Sequence, residues 1–245
     1  MRSLVIIPTY NEKENIEKIV EHLLNLNNSL RSSPNNFGDY NLNLLVIDDN
    51  SPDGTGKILD RLQIADCRLQ IIHREKKLGL GTAYIQGFKW ALEKDFTHIF
   101  TMDADFSHSP DYLPEFLKKF TDYDLIIGSR YVKCGGVRNW PYQRKLISRC
   151  GNLYAKTILQ FPVNDCTSGF MGFRREVLES INLDEIKSEG YGFLIEMKYR
   201  TYRHGYKIFE YPIIFVDRTQ GKSKISKNII WEAIFLVWKL LKQVR

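Results

Sequence analysis

Short apolar runs alternate with amphipathic ones along the first hundred residues. Leu4–Ile7 is an unbroken apolar run that ends at Pro8, which reads as a buried strand. Over Lys13–Leu26 the apolar positions Ile16, Ile19, Val20, Leu23 and Leu24 fall at helical spacing, with Thr9 or Asn11 as the candidate cap. Asn27–Asn43 is rich in Asn and Ser and holds Pro34 and Gly38, so it predicts a surface loop. Strand-like runs recur at Leu44–Ile47, Leu69–His73, His98–Met102 and Leu125–Ile127, and helical patterns at Gly56–Leu62 and Thr82–Glu93. Arg144, Lys145 and Arg149 open a further amphipathic helix. Strands alternate with helices, and the strands end in polar residues. That is the pattern of an α/β protein with an open, mostly parallel sheet whose ligands sit at the carboxyl ends of the strands. No internal repeat or low-complexity linker divides the chain, so a single domain is expected.

Composition narrows the class. Of 245 residues 43% are apolar and 26% charged, with 16 Gly and 8 Pro, which excludes a disordered or collagen-like chain and allows a full core. Cys67, Cys134, Cys150 and Cys166 are few and far apart, with no Cys-x-x-Cys pair, so neither a disulfide scaffold nor a zinc site is expected. The opening Met-Arg-Ser runs straight into the first strand without an h-region or cleavage site, so no signal peptide is expected.

The net charge of +6 lies in the tail: between Arg218 and Arg245 seven Lys/Arg face one acid, Glu232. The same stretch carries Ile229, Ile230, Trp231, Phe235, Leu236, Val237, Trp238, Leu240 and Leu241, too apolar for a nucleic-acid arm. Fifteen helical residues would reach about 22 Å, short of a hydrocarbon core of about 30 Å. Two readings stand: a basic amphipathic helix in the membrane interface, or a helix packed on the core.

Two acidic clusters stand at strand ends: Asp48-Asp49-Asn50-Ser51-Pro52-Asp53-Gly54-Thr55, and Asp103-Ala104-Asp105. Carboxylates abutting apolar strands are costly unless they are hydrogen-bonded or hold a cation. Oxygen-only ligands favour Mg²⁺ or Mn²⁺, which commonly bridge to substrate phosphates. The competing reading, helix caps and Asx-turns, accounts for one cluster more easily than for two. A phospho-acceptor receiver domain shares the acidic residues but is much shorter. His73 and His98 lack metal spacing, whereas His108 lies beside the Asp-x-Asp turn. Gly79-Leu80-Gly81 follows the third strand rather than the first, which argues against a dinucleotide fingerprint. Arg130, Arg144 and Arg218 are the basic positions suited to phosphate oxygens.

These motifs together resemble a known family. Val5-Ile6-Ile7-Pro8-Thr9-Tyr10-Asn11-Glu12, the Asp48–Thr55 segment and Asp103-Ala104-Asp105-Phe106-Ser107-His108 resemble family 2 glycosyltransferases of the GT-A (Rossmann-like) fold. Leu78–Tyr84, Gly128–Tyr131, Arg144–Arg149, Thr167-Ser168-Gly169-Phe170 and Val216-Asp217-Arg218 with Gly221–Lys224 resemble, more narrowly, the dolichyl-phosphate (polyprenyl-phosphate) mannosyltransferases. The resemblance implies a GT-A domain over residues 1–227 and a C-terminal amphipathic helix over 228–245 without a transmembrane domain. It implies transfer of mannose from GDP-mannose to a polyprenyl (dolichyl) phosphate with Mg²⁺ or Mn²⁺. By position, Pro8, Tyr10, Glu12, Ile47, Asp48 and Asp49 would bind the donor nucleotide, and Asp103, Ala104 and Asp105 its diphosphate. Asp103, Asp105 and Ser107 would hold the metal, Ser107 standing where some members have Gln. Arg130, Arg218 and Lys224 would contact donor phosphates, and Arg130, Arg144 and Ser168 the acceptor phosphate. Asp103, Asp105, Arg130 and Arg218 would carry catalysis. Asn50 replaces a commoner Gly in a turn that prefers positive φ, which Asn tolerates. The partners expected are GDP-mannose and a polyprenyl phosphate in a membrane, with a small membrane partner subunit left open and no nucleic acid. The expected location is peripheral, at the cytoplasmic face of a membrane.

The acceptor decides the chemistry. A hydroxyl acceptor needs a general base, for which Asp165 is the candidate. A lipid monophosphate, with a second pKa of about 6 by analogy with phosphorylated side chains, attacks without one. The expected reaction is then a single inverting displacement giving a β-linked product. Alternatives are glucose transfer from UDP-glucose to a lipid phosphate, a family 2 transferase acting on a glycan hydroxyl, or a non-catalytic nucleotide-sugar binder.

Overall fold

Strands that alternate apolar side chains to both sides of a sheet need a cover on each side. The computed structural model describes residues 2–32, 41–217 and 235–242. In chain order its strands are β1 (Arg2–Thr9), β2 (Asn41–Asp48), β3 (Leu69–His73), β4 (His98–Thr101), β5 (Leu125–Ser129), β6 (Gly136–Arg138), β7 (Met171–Arg174), β8 (Ile208–Pro212) and β9 (Ile214–Val216). Seven of them form one sheet in the order β3-β2-β1-β4-β7-β5-β8, and β6 pairs with β9 beside it. All pairings are parallel except those of β7, which runs antiparallel to β4 and β5. The chain is thus one α/β domain on a mixed, mostly parallel sheet.

The period of two along each strand divides the core. Leu4, Ile6, Leu45 and Ile47 enter the cluster on one face, and Val5, Ile7, Leu44 and Val46 the cluster on the other. The second face is covered by α1 (Ile16–Ser32), α2 (Thr55–Ala65) and α4 (Leu113–Lys119). The first is covered by α3 (Leu80–Leu92), α5 (Tyr142–Leu159), α6 (Arg175–Ser180) and α7 (Gly190–Arg203). Helix α3 lies close on the sheet because it presents Gly87, where a Cβ would come within 2.7 Å of Ile6.

Helix α1 departs from the sequence reading at both ends. It starts at Ile16, and neither Thr9 nor Asn11 caps it: Asn11 takes a left-handed φ of 59° and its N–H donates to Ser51 Oγ. At the other end Asn27–Ser32 is helical rather than loop. Asn27 is buried there, and its Oδ1 accepts the N–H of Leu42, joining the end of α1 to the start of β2. Tertiary use of a turn-forming residue overrides its local preference.

The last described residues, 235–242, form a helix, α8. Val237 and Leu240 are buried in the main core, and Leu236 lies against Gly192 of α7. Phe235 and Trp238 stay 70% and 49% exposed. The described turns therefore follow the packed reading of the tail along one side and present aromatic rings on the other. Among the described residues no helix is long and apolar enough to cross a membrane.

Candidate active site

The chain order reverses at β1, whose neighbours are β2 on one side and β4 on the other. Open α/β sheets bind ligands where such reversals occur, outside the carboxyl ends of the strands. A cleft of about 350 Å³ opens there. Strand β1 delivers Pro8 and Thr9 to it, then Tyr10 and Glu12; β2 delivers Ile47 and Asp49; β4 leads into Asp103, Ala104 and Asp105. Arg130 follows β5, and Arg144 comes from the first turn of α5.

At the β2 end the two adjacent acids part company. Asp49 lines the cleft and is pinned by the N–H groups of Leu78 and Gly79 at 3.1 and 2.9 Å and by buried Arg74 at 2.8 Å. Asp48 does not line it: β-strand alternation turns its carboxylate to the Ser51 hydroxyl, with His73 Nδ1 at 3.5 Å. Asp48 thus belongs to the turn rather than to the cleft. Asn50 adopts the positive φ expected of it, 60°.

At the β4 end Asp103 and Asp105 both line the cleft. Asp105 accepts the N–H of Ser107 at 3.0 Å, which folds the Asp-x-Asp turn back on itself. Ser107 also lines the cleft, beside His108, whose buried ring stacks on Phe170. His108 Nδ1 is 3.7 Å from Asp103 Oδ2, and burial pushes its pKa down to about 4, so the ring is neutral. Among the described residues no three His, Cys, Asp or Glu side chains converge on a metal point. The donor set, two carboxylates opening on one cleft, nonetheless fits a hard divalent cation that takes its remaining ligands from phosphate and water.

At the other side lie the cations. Arg130 is only 7% exposed. Its Nε and Nη2 donate to Asp165 at 2.7 and 2.6 Å, and Nη2 also to Thr167 Oγ1 at 2.8 Å. Asp165 is wholly buried. Burial alone would raise its carboxyl, but the charge and hydrogen bonds of Arg130 outweigh that and hold it below the usual range. Arg144 lines the cleft, pairs with Asp217 at 2.5 Å and lies 4.2 Å over the Trp140 ring. Ser168 does not reach the cleft: it is buried and donates to the carbonyl of Gly128. The predicted Arg218 and Lys224 lie outside the described residues.

The cleft also has walls with no local sequence signal. The Lys77 ammonium sits 3.9 Å over the Tyr10 ring at the β1 end of the cleft. Trp140, Tyr191 and Phe215 close the cationic side, arriving from the loop before α5, the start of α7 and β9. Only the pairing of distant elements brings them together.

The sequence model described as Glycosyl transferase family 2 matches residues 4–181. The chain is 43% identical over 238 residues to a polyprenol monophosphomannose synthase of Mycolicibacterium smegmatis, covering 96% of this chain and 85% of that one. It is 44% identical over 234 residues to an undecaprenyl-phosphate mannosyltransferase of Micrococcus luteus, covering 96% and 91%. Among solved structures, glucosyl-3-phosphoglycerate synthase from Mycobacterium tuberculosis, in complex with Mn²⁺ and UDP-glucose, superposes with a TM-score of 0.69. That match covers 98% of this chain and 79% of the other at 18% identity, a likeness of fold. On the extent of these matches and the carboxylate-lined cleft at the sheet's switch point, the chain belongs to glycosyl transferase family 2 and is a glycosyltransferase.

Proposed function

We propose that this enzyme transfers mannose from GDP-mannose to a polyprenyl monophosphate at a membrane surface, by one inverting displacement. The observation that carries the reading is the Arg130–Asp165 pair. The carboxylate that a hydroxyl acceptor would need as base is buried and spent on a guanidinium. An acceptor that needs no base, a phosphate dianion, suits a cleft flanked by Arg130 and Arg144. Two relatives above 40% identity whose names specify a polyprenyl phosphate and mannose support the same acceptor and sugar.

In this reading the nucleoside lies along Pro8, Tyr10, Glu12, Ile47 and Asp49, and the diphosphate faces Asp103 and Asp105. A Mg²⁺ or Mn²⁺ ion held by these two carboxylates would neutralise charge growing on the leaving diphosphate. Arg130 and Arg144 hold the acceptor phosphate in line with C1 of the sugar against the repulsion of two anions. An oxygen of the acceptor bonds to C1 as the bond from C1 to the diphosphate oxygen breaks. An α-linked donor so yields a β-linked lipid phosphate sugar and free nucleoside diphosphate. No covalent enzyme intermediate forms.

A membrane location is supported by the outer side of α5. Tyr142, Leu146, Ile147 and Leu153 are exposed there, and the helix carries Arg144, Lys145, Arg149 and Lys156 with no acid. Such a face suits the headgroup level of an anionic bilayer, with Arg144 on the same helix turned to the cleft. The test is a transfer assay with purified protein, polyprenyl phosphate in detergent, Mn²⁺ or Mg²⁺, and either GDP-mannose or UDP-glucose. Lipid-extractable label from GDP-mannose alone is expected, and Asp103→Ala should abolish it. Label from UDP-glucose alone would change the sugar, and no lipid product from either would overturn the acceptor.

A further inference from the structure

We propose that Lys198 of α7 is a positioning residue for the transfer step, setting the path of the Asp165–Gly169 segment and through it the Arg130 guanidinium and the space beside Asp103. The inference rests on the reading above, in which Arg130 and Asp103 face the reacting phosphates.

Lys198 is fully buried, although its helix is otherwise covered by core side chains such as Phe193, Met197 and Tyr199. Its ammonium forms no ion pair among the described residues. It donates instead to three main-chain carbonyls: Ser168 at 2.7 Å, Cys166 at 2.9 Å and, within α7, Leu194 at 3.3 Å. Three donors meet three acceptors, which a tetrahedral ammonium satisfies and no apolar side chain would. A buried cation is costly to keep, and burial lowers this one to about 8, against the opposing pull of nearby Asp165.

The segment it grips is the link between the two halves of the cleft. Asp165 is fixed at the start by its own N–H donating to Glu210 at 2.8 Å, and its carboxylate receives Arg130. Thr167 takes Arg130 Nη2 on its hydroxyl and donates its N–H to Asn152 Oδ1 at 3.1 Å. Gly169 closes the segment: its carbonyl accepts Thr101 Oγ1 at 2.7 Å, and its Cα faces Asp103, where a Cβ would stand in ordinary contact, 3.8 Å from Oδ1. Thr167 and Gly169 line the cleft, whereas the carbonyls before and between them, of Cys166 and Ser168, turn back onto Lys198. Releasing those carbonyls frees the segment at its middle. The guanidinium then loses its fixed aim, while the nucleotide walls on β1 and β2 stay as they are.

The test uses the full chain with Lys198→Met, Lys198→Gln, Thr167→Val and Arg130→Met, each followed by thermal unfolding, donor-nucleotide affinity by calorimetry, and kcat and KM per folded molecule. For Lys198→Met, kcat should fall tenfold or more, while KM for the donor and the affinity for GDP change less than threefold. Thr167→Val, which removes the hydroxyl but keeps the ammonium, should shift kcat the same way by less. If Lys198→Met does not fold, Lys198→Gln, whose shorter amide reaches at most two of the three carbonyls, should lower kcat between threefold and tenfold with KM for the donor changed less than threefold. Unchanged kcat per folded molecule, or a rise in KM as large as the fall in kcat, overturns the proposal. Arg130→Met separates the two readings. If it keeps transfer, the role given to Arg130 fails; if it abolishes transfer while Lys198→Met does not, only the inference about Lys198 fails.

Discussion

Asp165→Asn separates a buried structural carboxylate from a catalytic base. The substitution keeps the shape and removes the charge. Asp165 is wholly buried and receives Arg130 through Nε, Nη2 and the Arg130 main-chain N–H. The variant leaves the guanidinium, itself 7% exposed, without its counter-charge. Breaking a buried pair from one side costs about 3–5 kcal/mol. At roughly 2–4 °C per kcal/mol for a chain of this size, the melting temperature should fall by roughly 6–20 °C. The carboxyl titrates below its unfolded value, so its stabilisation is present above about pH 3.9 and lost as pH falls below that. The gap between the two proteins should therefore narrow in acid. Replacing both partners, Arg130→Met with Asp165→Leu, should restore much of the stability and none of the transfer. Differential scanning calorimetry at pH 7 and at about pH 2.5, below the unfolded value, alongside the transfer assay, reads all of this. A variant that melts with the parent yet loses about 10²–10⁴ in rate would refute the reasoning, because that is the signature of a lost general base. The acceptor would then be a hydroxyl.

Two further outcomes follow from other parts of the molecule. His98 of β4 is buried against Phe120 near Arg174, and burial, with that positive charge, pushes it down to about 4. Its neutral form is favoured in the fold, so its contribution is whole above the unfolded value of about 6.5 and is lost as pH falls towards 4. Urea unfolding between pH 7 and 4 should show His98→Gln lowering the pH slope of stability by up to one proton, about 1.4 kcal/mol per pH unit; an unchanged slope would contradict it. On the outer side of α5, Leu146→Asp with Leu153→Asp removes exposed apolar area without touching the core. Flotation with phosphatidylglycerol vesicles should fall at least fivefold while melting stays within about 2 °C; undiminished flotation would move the membrane contact elsewhere, to Phe235 and Trp238 of α8.

The parts of this enzyme legible in its sequence are those whose signal is local. Leu4–Ile7, Leu44–Ile47 and His98–Met102 are apolar because their strands are buried on both faces, Leu69–His73 is the half-buried strand at the sheet's edge, and each maps onto a strand of the sheet. The acids that follow two of these runs could be placed at strand ends for the same reason. What the pattern did not carry was direction. Asp48 and Asp49 are equal in sequence, yet a period of two turns one into the cleft and the other onto Ser51. Ser168 and Thr167 divide the same way, one to the Gly128 carbonyl and one to Arg130. Asn27 has the composition of a loop and serves as a buried clasp.

The second half of the chain hid more, because its strands are short and its order non-sequential. Strand β7 enters antiparallel between β4 and β5, and that insertion carries the Asp165–Gly169 segment into the gap between Asp103 and Arg130. No helical or strand period marks that segment, since its groups are spent on particular partners rather than on a face. Its hydrogen bonds run to Arg130, Asn152, Thr101, Gly128, Glu210 and Lys198, while Cys166 joins the apolar core. Each satisfied polar group costs desolvation and returns little net stability, so stability alone gives weak reason to build it. In the transfer proposed above, a fixed distance between Asp103 and Arg130 gives a stronger one, because displacement between two phosphates depends on alignment that packing of apolar side chains does not specify.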